Sequence, residues 1–156
     1  MTSKLSEAVF REELTVNASR VFLEASHELL RLGYAVRFRA GGQSMHATIK
    51  DGEMITVEPA SANEIKRGDI VLYRFNRGVI AHRVIRVEKA EAAHRFILRG
   101  DSSSTNDAPV EAEKILGRVI SVEREGREID LASRKAKLMR AARSIKAHAI
   151  GQRACD

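Results

Sequence analysis

Residues 69–87 read DIVLYRFNRGVIAHRVIRV. Two apolar, β-branched runs, Asp69–Phe75 and Val79–Val87, flank the turn-forming residues Asn76-Arg77-Gly78, which predicts a β-hairpin. In the second run alternate residues face opposite ways: Val79, Ala81, Arg83 and Ile85 on one side, Ile80, His82 and Val84 on the other. A histidine thus shares a face with aliphatic side chains, which would desolvate it.

The same rhythm of short runs and turns continues outward. Ala35–Arg39 and Met54–Glu58 alternate, the latter ending at Pro59. His94–Arg99 and Ile115–Val122 follow, and SVEREGREIDL (121–131) predicts a last hairpin turning near Glu125-Gly126. Five to seven short strands with Gly-containing turns predict a compact, mostly antiparallel domain over residues 35–130.

Helical patterns flank it. From about Glu7 to Leu32, Val16, Ser19, Leu23, Ser26 and Leu30 mark one side of a helix that Phe22 and Leu29 widen, with Gly33 at the C-cap position. From Ala132 to Ile150 the apolar positions Leu131, Leu138, Ala142, Ile145 and Ala149 again fall together. The expected class is mainly β (α+β), in three segments: an N-terminal helical segment 1–34, the β domain 35–130, and a basic helical tail 131–156.

A chain of 156 residues with 44% hydrophobic and 31% charged residues suits one globular domain. Its one cysteine, Cys155, can form no internal disulfide. No run reaches the ~20 apolar residues of a membrane-spanning helix. Lys4, Glu7, Arg11, Glu12 and Glu13 break the pattern of a signal peptide, so a cytoplasmic location is expected. The net charge of +6 resides in residues 131–156, where Arg134, Lys135, Lys137, Arg140, Arg143, Lys146 and Arg153 face one acid, Asp156. A neutral body with a basic tail speaks against a DNA-binding domain, and no specific nucleic-acid partner is expected. The tail suits a helix packed on the β domain, a solvated extension, or peripheral contact with an anionic membrane surface.

A second stretch bears on chemistry. Residues 40–59, AGGQSMHATIKDGEMITVEP, place Ser44 where the first strand hands over to a loop. A nucleophilic serine needs a general base and donors for the developing oxyanion. Gly41 and Gly42 would let the backbone approach a substrate and turn its N–H groups inward. His82 is the candidate base, and Asp101 or Asp107, within LRGDSSSTNDAP (98–109), could orient it. Such a role set is recognised by geometry rather than chain order. Spacing alone leaves open a solvated turn serine, a packed core histidine and an Asp-containing loop. No cofactor is implied, and His46 and His94 lack a second pair at metal-ligand spacing, so no metal is expected. His27 and His148 read as solvated.

The blocks GGQSMHATIKDGEMITVEP, IKRGDIVLYRF, GVIAHRVI, FILRGDSSSTND and ILGRV, from about Phe38 to Val122, resemble the signal peptidase I and LexA-type serine peptidase superfamily (S24/S26) in order and content. They are most similar to the branch that pairs serine with histidine, as in signal peptidases of archaea and the endoplasmic reticulum. The resemblance implies a domain of coiled β-sheets with its site along one edge. It implies Ser44 as nucleophile and His82 as base, where many relatives carry lysine. Asp101 and Asp107 match two acidic positions; Asp107 is favoured as the histidine's partner, with Asp101 shaping the loop or sharing the role. The implied substrate is an extended peptide or protein segment with small residues at the first and third positions before the cut, held against apolar side chains near Met45.

Three departures accompany the resemblance. Gly42 and Gln43 stand where many signal peptidases have a serine and a glycine, so the oxyanion would rest on backbone N–H groups. Losing one such donor costs ~10²–10³ in rate, which implies a slower or more specialised enzyme. Ala47 stands where proline is common. Residues 7–32 are too polar to serve as the usual membrane anchor. The expected function is a serine endopeptidase of signal-peptidase type that cleaves a leader or pro-segment without a transmembrane anchor of its own. The alternatives are a LexA-like self-cleaving regulator and a non-catalytic peptide-binding relative. Against the regulator, one good helix before Ser44 is too little for a helix-turn-helix domain, and the Ala40-Gly41 bond lies too close to Ser44 to fold back into its site.

Overall fold

The structure is a computed structural model, and it describes residues 20–89 and 93–132. Residues 20–31 are helical (α1), and eight strands follow among the described residues: β1 (Val36–Arg39), β2 (Met54–Glu58), β3 (Ile70–Phe75), β4 (Gly78–Lys89), β5 (His94–Arg99), β6 (Val110–Glu111), β7 (Ile115–Arg124) and β8 (Arg127–Asp130). All pairings are antiparallel, in the order β1-β2-β7-β3-β4-β5-β6, with β8 added to β7. The fold is therefore mainly β. The predicted tail helix and the first part of the predicted N-terminal helix lie outside the described residues. Among the described residues no helix is long and apolar enough to cross a membrane.

β3 explains why Ile70–Tyr73, the middle of DIVLYRF, is apolar at every position rather than alternating. Ile70 and Leu72 enter one buried cluster with Ile55, Val57, Val119 and Val122; Val71 and Tyr73 enter a second with Val84, Phe96 and Leu98. A strand covered on both faces needs apolar side chains at every position. β4 follows the same division, with Val79 and Ala81 on the first cluster and Ile80 and Val84 on the second. The expected alternation stops at Val84. A bulge leaves Ile85 without a partner across the ladder, and Val87 then returns to the face of Val84.

The loop of the β3–β4 hairpin is Asn76-Arg77 alone, because Gly78 already pairs with Phe75; Asn76 takes the left-handed conformation at φ 51°. At Glu125-Gly126 both residues have positive φ (51° and 73°), the backbone of a type I′ turn. β6, two residues after Pro109, is too short to carry a readable period and is absent from the sequence expectation.

Helix α1 ends in a Schellman motif: Gly33 N–H bonds Leu30 O, Tyr34 N–H bonds Leu29 O, and Gly33 takes φ 93°. Leu30 and Ser26 are buried beneath the helix, and Leu23 packs on the first cluster. His27 is half-buried rather than solvated, its Nδ1 lying 2.9 Å from Arg74 Nη2 on β3. The helix is thereby held over the face of the first cluster, with Phe22 against Phe38 of β1 and His27 against Arg74 of β3.

Candidate active site

The loop after β1 is built to present Ser44. Gly42 takes φ 93°, which glycine adopts without strain, and its N–H donates to Asp51 Oδ1 at 2.8 Å. That bond corrects the expectation that Gly42 turns its N–H toward a substrate. Residues 43–49 then form a short turn, with His46 N–H to Gln43 O and Ile49 N–H to Met45 O. Met45 and Ile49 are buried in the first cluster and anchor the turn, while Ser44 stays exposed beside them. Among the described residues the Ser44 N–H donates to no backbone carbonyl.

β4 supplies the histidine. His82 is 8% exposed and pairs across the ladder with Val71. Its Nε2 lies 3.0 Å from Ser44 Oγ, and its Nδ1 lies 2.6 Å from Asp107 Oδ2. The Asp107 N–H bonds Leu98 O, which ties the end of the 101–109 loop to β5. Tyr73, on the neighbouring strand, donates its hydroxyl to the same Asp107 Oδ2 at 3.0 Å. Burial, and next the Asp107 carboxylate, push the Tyr73 phenol above its ordinary pKa, so it remains a donor. The arrangement is a continuous hydrogen-bonded chain from hydroxyl to imidazole to carboxylate, closed by a phenol.

Asp101 is placed elsewhere. Both its oxygens are taken by Arg83, at 2.8 Å to Nε and 2.7 Å to Nη2, and the Thr48 hydroxyl donates to Oδ2. The Arg83 bonds, aided by Thr48, hold Asp101 below the usual carboxylate range. The pair clamps the 100–102 loop onto the serine turn. Ser102 N–H bonds Ser44 O, Ser102 Oγ bonds Gln43 O, and Asp101 N–H points at Met45 Sδ. Gln43 thus holds the loop through its carbonyl.

Sequence reasoning passed over Gly100, Tyr73 and Arg83. A Cβ at Gly100 would stand 2.6 Å from Ser44 O and 3.0 Å from His82 Nε2, so only glycine fits there. Its place directly before Asp101 was visible, but the need for it arises only when two distant loops meet. Arg83 alternates with His82 on β4, and that alternation was its only sequence signal.

A groove of about 790 Å³ opens beside Ser44 and His82. Gly42 and Met45 contribute to its lining, along with β1 (Phe38, Arg39) and β4 (Val79–His82); Gln43 does not. Helix α1 forms part of the wall through Phe22 and Leu23.

A family model described as peptidase S24-like matches residues 8–120, which span α1 and the strands through most of β7. The comparison with curated proteins gives no match.

Proposed function

The chain belongs to the peptidase S24-like family, and from that premise we propose that it is a serine endopeptidase of signal-peptidase type, cutting an extended leader or pro-segment after small residues. The observation that carries the reading is the 3.0 Å approach of Ser44 Oγ to His82 Nε2, with Asp107 on the far side of the ring. In this reading Ser44 Oγ attacks the scissile carbonyl carbon as its proton passes to His82 Nε2. The imidazolium then returns that proton to the leaving amine as the C–N bond breaks, leaving an acyl-Ser44 ester. A water, deprotonated by the same nitrogen, attacks the ester, and the proton goes back to Ser44. Asp107 stays ionised throughout, fixing the ring and offsetting the imidazolium charge. The Ser44 N–H is the first donor available to the oxyanion.

Self-cleavage at Ala40-Gly41 is the weaker reading. The Ala40 carbonyl accepts from Gly52 N–H at 2.8 Å, and the Ala40 N–H donates to Glu53 O. That bond is locked in the structure rather than presented to Ser44.

The test is cleavage of an extended peptide with Ala at the first and third positions before the cut. Ser44→Ala and His82→Ala should each remove turnover, and Asp107→Asn should slow it more than Asp101→Asn. Wild-type rates in both of the first two variants would end the assignment. The reverse order of the aspartates would move the orienting role to Asp101.

A further inference from the structure

The groove beside Ser44 is lined mainly by apolar side chains, and its charges have one sign. Arg39 and Arg77 line it, and among the described residues no Asp or Glu does. Arg39 is engaged, donating to Gly52 O at 3.0 Å. Arg77 sits exposed in the β3–β4 turn and meets no acid among the described residues. Phe22 and Leu23 of α1 also line it. Phe22 is 43% exposed, and its ring meets that of Phe38 edge-on with centroids 5.2 Å apart. An amphipathic helix turns its apolar stripe toward the core. Here a Phe–Phe pair is left half-open in the lining of a groove that also holds a guanidinium with no acidic partner among the described residues.

We propose that this groove selects substrates carrying a bulky apolar residue seated on Phe22 and Leu23 and an acidic residue placed to meet Arg77, outside the small residues next to the cut. The inference rests on the peptidase reading and adds a substrate class to it. The apolar seat supplies affinity through area removed from water, and the unpaired arginine supplies sign discrimination. α1 then acts as a specificity wall rather than only as a cover for the sheet.

The test uses the full chain carrying Ser44→Ala, so that binding is read without turnover, and fluorescein-labelled extended peptides with Ala at the first and third positions. Four peptides carry Leu or Ser at the apolar position and Glu or Lys at the acidic one, stepped along the chain to find the register. The Leu/Glu peptide should bind on the order of tenfold tighter than Ser/Glu, the yield of burying one such side chain, and about fivefold tighter than Leu/Lys, the scale of an exposed charge pair. Arg77→Glu should invert the Glu-over-Lys preference, and Phe22→Ala should erase the Leu-over-Ser gain while leaving the charge preference. Because Arg77 is exposed in a turn, its reversal leaves the core untouched. Equal affinity for all four peptides in every register, or an Arg77→Glu variant that still prefers Glu, overturns the proposal. Turnover of the same peptides by the unsubstituted chain separates the two claims. Selective binding without cleavage rejects the peptidase reading alone, and cleavage without selectivity rejects the groove assignment alone.

Discussion

Gly100 shows how little room surrounds the reactive pair. Its missing side chain lets the 100–102 loop touch the back of Ser44 and the edge of His82 at once. A methyl group there must displace either the Ser44 backbone or the imidazole, and an ångström-scale misplacement of reacting groups costs about 100-fold in rate. Gly100→Ala should therefore lower kcat/KM by about that factor on any peptide the chain cleaves, with the circular dichroism of the β domain retained. Undiminished turnover would show that the loop can shift without disturbing Ser44. Ala47 tells a related story. It takes φ 65°, a value that the proline ring cannot reach, so the proline that the family resemblance leads one to expect at this position is excluded by this turn's backbone.

At the scale of elements, the serine turn is fastened to the end of β7. Glu53 Oε2 receives both Arg124 Nη2, at 3.0 Å, and the Lys50 N–H, at 2.8 Å, while Arg124 also reaches the carbonyls of Ala47 and Thr48. The Arg124 hydrogen bond lowers the Glu53 carboxyl from an ordinary 4.5 to about 2. Because the folded value lies below the unfolded one, the ionised carboxylate stabilises the fold fully above about pH 4.5, and that contribution is lost as the pH falls toward 2. Glu53→Gln should lower the urea midpoint at pH 7 and flatten its fall between about pH 5 and pH 3. Urea titrations at several pH values check this, and a slope equal to that of the unsubstituted chain would remove Glu53 from the account. The elements themselves were largely legible: Met54–Glu58 and His94–Arg99 are strands with the bounds that the sequence implied. The bulges were not, since Ile85, Leu116 and Ile120 drop out of register only because particular neighbours lie across from them.

Over the whole molecule, one buried ion cluster joins segments far apart in the chain. Arg118 on β7, 2% exposed, contacts Glu58 Oε1 on β2 at 2.6 Å and Asp69 Oδ2 before β3 at 3.5 Å. These contacts lie where β7 inserts between β2 and β3, so the cluster bridges the strands that the chain's connectivity leaves apart. Removing one partner from such a group leaves buried charge uncompensated, at a cost of about 3–5 kcal/mol. Arg118→Met should destabilise the fold by that amount in urea denaturation at neutral pH. A loss of under about 1 kcal/mol would mean that Glu58 and Asp69 find other compensation.

The sequence alone determined what depends on neighbours along the chain. The β-rich class, the hairpin around Asn76, the helix stop at Gly33 and the face that His82 shares with Ile80 and Val84 all follow from local backbone preference and a two-residue period. It also brought forward Ser44, His82, Asp101 and Asp107 as candidates, with Asp107 favoured beside the imidazole through the family resemblance, but it found no partner for Asp101. Tertiary structure decided that Asp107 meets the imidazole while Asp101 meets Arg83, that Gly42 spends its N–H on Asp51, and that α1 walls the groove. The reason is physical: apart from Gly42–Asp51, which closes a single loop, these pairings join residues on separate elements or loops. Their distances depend on the order of strands in the sheet and on its bulges, quantities that no local pattern encodes.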